Sequence, residues 1–593
     1  MFIVCIFGVV KYNDYIEKMD NLNWKPSAPP NQSAVQAICK DTGLSVLVAR
    51  ILVQRGVNSI EDAEAFLRPR LEDLHNPELM LNMDKAVTRL NKAIMGRERI
   101  MVYGDYDVDG TTSVAMVASF LESLDVQIVP YIPMRYQEGY GVSKDGVDRA
   151  RKSGCTILIT LDCGTKDFEA LEYAHSHGID TIVCDHHLPG EEIPKCYALL
   201  NPKQTGCQYP FKELSGAGVA FKMLSALVPH IGLTMDSVYD HLDLLALSIG
   251  ADLVDITGEN RILAYHGMRN LQDSMRPGIR AMLQVAGIDQ APRTVRDVSF
   301  TLGPRINAAG RVGHALTAAK LLMETDESGA LELASQLETM NQARRDIDED
   351  LTVEAIAQMA EQPPGRCCTV VTGEGWHRGV LGIVASRLLE QQYCPAIVLS
   401  EENELMTGSA RSVSGVDIHA AFEECSEYID QFGGHPMAAG LTLKSENLSA
   451  FKKALEKAII SQVKGKIPQP TVSYHMDIDL NDLNPTMYKE FECIGPFGPN
   501  NEVPVFMSTE VVTAIPPRTV GHGGRHLKLV VQSHNDPKHR FEAIGFGMGE
   551  RIDEVRAWRT FDLVFTLARN TFRGKSTLNL HLRAIRAHRK RAK

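Results

Sequence analysis

Short apolar runs and longer amphipathic stretches alternate between residues 99 and 185. IMVY (100–103), QIVPYI (127–132), CTILITL (155–161) and DTIVC (180–184) are brief and rich in β-branched residues, the mark of strands. TTSVAMVASFLESL (111–124) and a stretch around 167–177 carry apolar residues at helical spacing, and Thr111 or Thr112 is placed to cap the first helix. This β-α-β rhythm predicts a parallel, doubly wound sheet. Sheets of that kind bind ligands beyond the carboxyl ends of their strands.

The pattern changes at Ala330. From there to Gln362 no Gly or Pro occurs, and a helix over those 33 residues would reach roughly 50 Å at 1.5 Å per residue. A helix that long and that polar is expected to bridge domains. It stops at PPG (363–365). A second α/β unit then reads strand CTVV, helix GVLGIVASRLLEQQ and strand AIVLS, followed by GGHPMAAG (433–440). Beyond KGKIPQPT (464–471), short strands such as HLKLVVQS (526–533), FEAIGFG (541–547) and DLVFTLAR (562–569) are separated by turn residues, which fits a five-stranded barrel of the OB type. The expected domains are an N-terminal extension (1–44), an α/β catalytic domain (45–325), a connecting helix (326–362), a second α/β domain (363–463) and a β-barrel with a basic tail (464–593).

Composition narrows the function. At about 150 residues per domain, 593 residues make several domains. A net charge of −12 gives no overall attraction to a polyanion, so nucleic-acid binding must come from local basic surfaces. Residues 571–593 are such a stretch, with eight Lys or Arg and no acid. Twelve cysteines without a CxxC pair read as reduced thiols of a cytoplasmic protein. The apolar run at the N-terminus is too short to span a bilayer and lacks a basic flank, so no membrane association is expected, and Met19 is an alternative start.

Candidate chemistry gathers at the strand ends. GDYDVDG (104–110) follows the first strand with Asp105, Asp107 and Asp109. Asp162 follows CTILITL, Asp185-His186-His187 follow TIVC, and Asp252 and Asp255 close the predicted helix 241–250. Three carboxylates within five residues repel one another unless they are solvated or share a cation. Carboxylate with imidazole suits Mn²⁺, and carboxylate with water suits Mg²⁺. So many anionic ligands point to two ions bridged by a shared carboxylate, about 3.5–4 Å apart.

The motifs GDYDVDG, LDCGT, DHH and GADLVD, in that order, resemble those of the DHH phosphoesterases, and GGHPMAAG is similar to the glycine-rich signature of their associated C-terminal domain. GPRINAAGR (303–311), GWHRGVLGIVASRL (375–388) and PFGPNNEVPVF (496–506) extend the resemblance to the bacterial single-strand-specific exonucleases of this superfamily, over roughly residues 45–585. The resemblance implies a metal-dependent exodeoxyribonuclease of DNA repair and recombination that degrades single-stranded DNA in the 5′→3′ direction. It implies that Asp107, Asp109, Asp162, His186 and Asp252 hold two divalent cations, Mn²⁺ or Mg²⁺, with Asp162 as the bridge. Asp105 is then a ligand or the partner of one, His187 faces the scissile phosphate, and Asp185 orients an imidazole. Arg305, Asn307 and Arg311, with Arg411, Gly433, Gly434 and His435, are the implied phosphate contacts. A single-strand-binding protein and a helicase are the implied partners of a monomeric enzyme. Two other readings compete: a smaller phosphodiesterase acting on short RNA or a cyclic dinucleotide, which leaves the long helix and the barrel unexplained, and a scaffold of the same fold, which would have lost ligands that are intact here.

Overall fold

The computed structural model describes residues 22–588 apart from 274, 289–291, 364, 466 and 573–574, and the side chains of 571–576. The chain forms two compact units. One comprises residues 61–344 with 494–502, and the other comprises residues up to 60, 345–493 and 503 onward. These boundaries differ from the expected domains: residues 45–60 group with the second unit, where the backbone N–H of Ser45 donates to Glu490 at 3.0 Å and Gln54 donates to the His475 carbonyl at 3.1 Å. Residues 494–502 group with the first, through a hydrogen bond from Ile256 N–H to the Pro499 carbonyl at 2.8 Å.

After the short strand β1 (Asn23–Pro26), the first unit is built on a five-stranded sheet of β2 (Ile100–Gly104), β3 (Ile128–Tyr131), β4 (Ile157–Leu161), β5 (Asp180–Cys184) and β6 (Ala198–Leu200). Their order is β3-β2-β4-β5-β6 and every pair is parallel. The central strands are apolar and buried throughout, as strands covered on both faces must be. The three-residue β6 was too short to stand out in the sequence. Helix α1 (Val108–Glu122) starts earlier than expected, because Asp107 caps it and neither threonine does: the Gly110 N–H donates to Asp107 Oδ1 at 3.1 Å. Thr112 instead donates to the Val108 carbonyl inside the helix. The unit also contains α2 (Gly216–Leu227), α3 (Leu242–Asp252) and α4 (Gly303–Val312).

The long helix is continuous from Glu327 to Glu361 (α5). Ala330, Ala334 and Leu337 join the first core, and Leu351, Ala355 and Ile356 join the second.

The second unit holds a mixed sheet of β7 (Thr369–Glu374), β8 (Ala396–Glu402), β9 (Leu405–Arg411), β10 (Gln431–His435) and β11 (Ala438–Lys444), in the order β10-β11-β9-β8-β7. Helix α6 (Leu381–Gln391) covers it. GGHPMAAG forms a β-hairpin, not a free loop: Gly433, Gly434 and His435 pair with Gly440, Ala439 and Ala438.

The same unit contains the β-barrel. Strands β12 (Thr471–Tyr474) and β13 (Met476–Asp477) lead into β14 (Val505–Thr513), β15 (Arg518–Val520), β16 (His526–Ser533), β17 (Phe541–Gly545), β18 (Phe561–Phe572) and β19 (Lys575–Ala587). The ring β14-β18-β19-β17-β16 is partly closed by pairing of β16 with β14, while β13 and β15 extend its edges. Much of the basic C-terminal stretch is therefore strand β19 and not a tail, and residues 589–593 lie outside the described residues. Strand β1 pairs with β12, and Trp24 packs onto the cluster of Tyr474, Met507, Val564 and Ala584.

Candidate metal centre

Close backbone packing assembles the acidic edge of the parallel sheet. A side chain at Gly110 would place its Cβ 2.4 Å from the Asp105 carbonyl oxygen, and one at Gly310 of α4 would lie 2.4 Å from that of Tyr106. The small residues of GPRINAAGR thus let helix α4 approach the aspartate loop. Asp162 adopts a left-handed φ of 60° at the end of β4, against Gly216, whose added Cβ would lie 2.7 Å from that of Asp162. Asp109 sits over the start of α2: its Oδ2 accepts from Gly216 N–H at 2.6 Å, and its Oδ1 accepts from Ala217 N–H at 2.9 Å and from Ser248 Oγ at 2.7 Å. The α2 amides favour a negative charge there. Gly216, Ala217 and Ser248 were not expected from the sequence; the small-residue run SGAG ahead of an apolar helix was the available signal.

His186 lies in the middle of the acids. Its Nε2 is 3.2 Å from Asp162 Oδ1, 3.7 Å from Asp252 Oδ2 and 3.9 Å from Asp109 Oδ2. Three sets of ligand atoms fall within 4.8 Å of one another: Asp105, Asp107 and Asp162; Asp109, His186 and Asp252; and Asp162, His186 and His187. Asp162 belongs to two of them. Asp255 is outside all three, and its backbone carbonyl accepts from Asn260.

These side chains fit a cation. The Oδ1 atoms of Asp105 and Asp162 are buried and receive no hydrogen bond, a costly state for a carboxylate unless a positive charge faces it. Burial, followed by the charges of Asp109, Asp107, Asp252 and Asp105, pushes the Asp162 carboxyl well above its ordinary range. Burial and Asp107 do the same to Asp105, and burial and Asp109 raise Asp107. Asp252 is pushed up to about 8, by burial first and then by Asp109 and Asp107. Burial lowers His186, which favours the neutral imidazole that coordinates metals. Cys163 is buried beside Asp162, and burial, then the neighbouring acids, raises its thiol far above the usual value, so it is no nucleophile.

His187 is held differently. Its Nδ1 lies 2.7 Å from Asp185 Oδ1, which also accepts from the backbone N–H groups of His186 and His187, while Thr165 N–H donates to Asp185 Oδ2 at 2.9 Å. Burial opposes the Asp185 charge, yet His187 and Thr165 hold its carboxyl well below the usual range. In turn, burial opposes an imidazolium at His187, but Asp185 raises its basicity. Asp185 therefore orients His187. Tyr140, which the sequence did not single out, brings its hydroxyl to 3.2 Å from His187 Nε2. No motif spacing marks a tyrosine in a loop.

The expected phosphate contacts occupy several settings. Arg305, on α4, is buried. Its Nε meets Glu338 Oε2 of α5 at 2.5 Å, and its Nη1 donates to the Thr301 carbonyl at 2.6 Å, so it already has partners. Asn307 and Arg311 are half-buried on the same helix. In the second unit, strand register aligns His435, Ala438 and Arg411 in one row across three strands. Arg411 Nη1 donates to Ser409 Oγ at 3.1 Å and to the Ala410 carbonyl at 2.8 Å. Gly433, Gly434 and His435 are exposed, and a Cβ on Gly433 would meet nothing within 4 Å.

Comparison with known proteins covers all these regions. Residues 99–249 match the DHH family N-terminal domain, 365–461 the DHHA1 domain and 474–584 the RecJ OB domain. The single-stranded-DNA-specific exonuclease RecJ of Bacillus subtilis (strain 168) is 34% identical over 93% of this chain and 70% of that protein. Its counterpart from Escherichia coli (strain K12) is 31% identical over 91% of this chain and 95% of that protein. The crystal structure of RecJ from Thermus thermophilus in complex with Mn²⁺ superposes with a TM-score of 0.82 at 25% identity, covering 96% of this chain and 80% of that one.

Proposed function

Because the chain belongs to the RecJ family of single-stranded-DNA-specific exonucleases, we propose that it degrades single-stranded DNA from a free 5′ end, using two divalent cations at the edge of its parallel sheet. It is a metal-dependent DHH-family nuclease. The observation that carries the reading is Asp162, which is shared by two candidate ligand sets and whose buried Oδ1 accepts no hydrogen bond.

Asp107, Asp109, Asp162, His186 and Asp252 would hold Mn²⁺ or Mg²⁺, with Asp162 common to both ions and Asp105 beside it. When bound, such a pair activates a water near neutral pH and stabilises the charge on the attacking and leaving oxygens. The α2 amides hold the Asp109 carboxyl in place, and Asp185 fixes His187 towards the scissile phosphate. Arg305, Asn307 and Arg311, and separately Arg411 with Gly433, Gly434 and His435, contact backbone phosphates. Arg305 reaches them only by sharing its guanidinium with Glu338. The barrel supplies affinity for the strand. Among the described residues no helix is long and apolar enough to cross a membrane. We place the enzyme in the cytoplasm, as a monomer acting in repair and recombination with a single-strand-binding protein and a helicase.

The test is a single-stranded substrate labelled at each end in turn, with Mn²⁺. Loss of the 5′ label first, with a blunt duplex and a cyclic dinucleotide left intact, is the expected result. Loss from the 3′ end overturns the direction, and preferred hydrolysis of the cyclic dinucleotide overturns the substrate class.

A further inference from the structure

His187 is gripped by Asp185 at one nitrogen only, and its side chain keeps 40% of its surface exposed. A single hydrogen bond leaves an imidazole free to swing about that bond. Tyr140 closes the other edge. Its hydroxyl is 3.3 Å from Nδ1 and 3.2 Å from Nε2, nearly equidistant from the two ring nitrogens, and it donates to the Asp162 carbonyl at 3.3 Å. The two rings meet edge to face, with centroids 5.8 Å apart and planes at 71°. With Nδ1 bonded to Asp185, the tyrosine hydroxyl, its one proton given to the Asp162 carbonyl, is the second polar contact against the imidazole.

The backbone beside Tyr140 is itself fastened to the sheet edge. Tyr103, near the end of β2, donates to the Gly141 carbonyl at 2.8 Å and accepts from Ser143 N–H at 3.2 Å. Asp167, which follows β4, accepts from Val142 N–H at 2.7 Å. Gly141 has a φ of 87°, and an added Cβ would fall 2.5 Å from Asp167 Oδ1, so only glycine lets the chain pass this close. A surface tyrosine that merely filled space would need no such anchoring.

We propose that Tyr140 is a positioning residue for His187, fixing the plane of the imidazole that Asp185 grips from the opposite side. This rests on the reading of His187 as the group that faces the scissile phosphate. Tyr140 then acts through its hydroxyl and through His187, and touches neither ion.

The experiment is a double-variant cycle on the full chain. Tyr140→Phe is expected to lower kcat by ~10-fold, the scale for losing a group that orients a catalytic side chain, with KM for a single strand little changed. Calorimetric Mn²⁺ titration and the thermal melt of Tyr140→Phe should match the wild type. The double variant His187→Ala/Tyr140→Phe should turn over no more slowly than His187→Ala alone, because the tyrosine then has nothing to position. Wild-type kcat in Tyr140→Phe, or multiplying losses in the double variant, overturns the proposal. So does normal turnover of Tyr140→Phe with a raised KM in Tyr140→Ala, which would make the ring a stacking surface. If His187→Ala keeps wild-type turnover, the role of His187 falls and this proposal with it. A slow His187→Ala beside a fast Tyr140→Phe overturns this proposal alone.

Discussion

The two five-stranded sheets of this molecule handle polar groups in opposite ways. In the first, all strands are parallel, so every carboxyl end reaches one edge, and Asp105, Asp162 and Asp185 follow β2, β4 and β5 there. Those acids are almost fully buried, with Asp105 and Asp162 each 2% exposed. In the second, hairpins turn the chain back and forth, and the candidate groups align across neighbouring strands as the row His435, Ala438, Arg411. Gly433, Gly434 and His435 are open to solvent. Buried like charges are tolerable only with a bound countercharge, whereas an exposed glycine strand is stable empty. The first sheet thus fits bound ions, and the second presents an exposed row that is stable without them.

The sharpest way to break this contrast is Asp162→Ala. Losing the shared carboxylate should reduce hydrolysis by ~10³-fold or more, beyond the usual cost of removing one group that stabilises a transition state, while binding of a single strand persists. Nuclease assays in Mn²⁺ with a gel-shift control measure both. Substantial remaining activity would remove Asp162 from the centre of the site.

Stability should respond to pH and metal in a linked way. Asp252 is raised from 3.8 to about 8, and Asp105, Asp107 and Asp162 shift in the same direction. A raised carboxyl means that the folded metal-free protein holds more protons than the unfolded chain across that interval, so stability falls as pH rises through it. Mn²⁺ needs the deprotonated acids and neutral His186, so its stabilisation grows over the same interval. Melting curves in chelator should drop between pH 5 and pH 8, and the gain on adding Mn²⁺ should be larger at pH 8. Metal-free Asp162→Asn should melt above the wild type at pH 8, at ~2–4 °C per kcal/mol of repulsion relieved. A flat metal-free profile would contradict the burial argument.

On the second sheet the effects should be milder. Arg411→Ala should raise KM for a single strand by ~10-fold, the loss of one charge-assisted hydrogen bond of ~1.5 kcal/mol, and leave kcat and Mn²⁺ affinity nearly unchanged. Steady-state kinetics separate the two. A fall in kcat with constant KM would move Arg411 into the chemistry.

The difference between the sheets also governs what could be read from the sequence. Parallel strands ending in acids follow from apolar periodicity and a few motifs, so Asp105, Asp109, Asp162, His186 and Asp252 were legible together. Asp107 was legible as a site residue but not as the cap of α1, because the cap depends on where the loop closes. Tyr140 was invisible, since it reaches His187 only through the path of its loop. Arg305 entered as an implied phosphate contact, and sequence does not show that Glu338, 33 positions later, pairs with it. The hairpin of GGHPMAAG is not evident from the sequence because its glycines have low strand propensity, which pairing with β11 and β9 overrides.

The barrel gives the finest test of the division between chemistry and affinity. Removing it whole would be uninformative. Its lead-in strand β12 pairs with β1, Trp24 packs against Val564 and Ala584, and Arg586 lies 3.9 Å from the Trp24 ring centre, so truncation would strip the unit's own N-terminal strand of its partner. Charge can be removed without that damage. On β16, Leu527, Leu529 and Val531 are buried while Lys528 points outward opposite Arg518 of β15, and Arg525 is exposed just ahead of the strand. Lys528 also pairs with Glu542 at 3.0 Å, an ion pair of little stabilising value at a surface. If these cations meet phosphates, replacing all three with Ala should lower the slope of log affinity against log salt by ~0.7 for each phosphate no longer neutralised, about 2 in all. Turnover at saturating strand should be unchanged, because among the described residues the candidate metal ligands all lie outside the barrel. Fluorescence-anisotropy titrations across a salt series measure the slope, and an unaltered slope would mean that the strand does not run along β15 and β16.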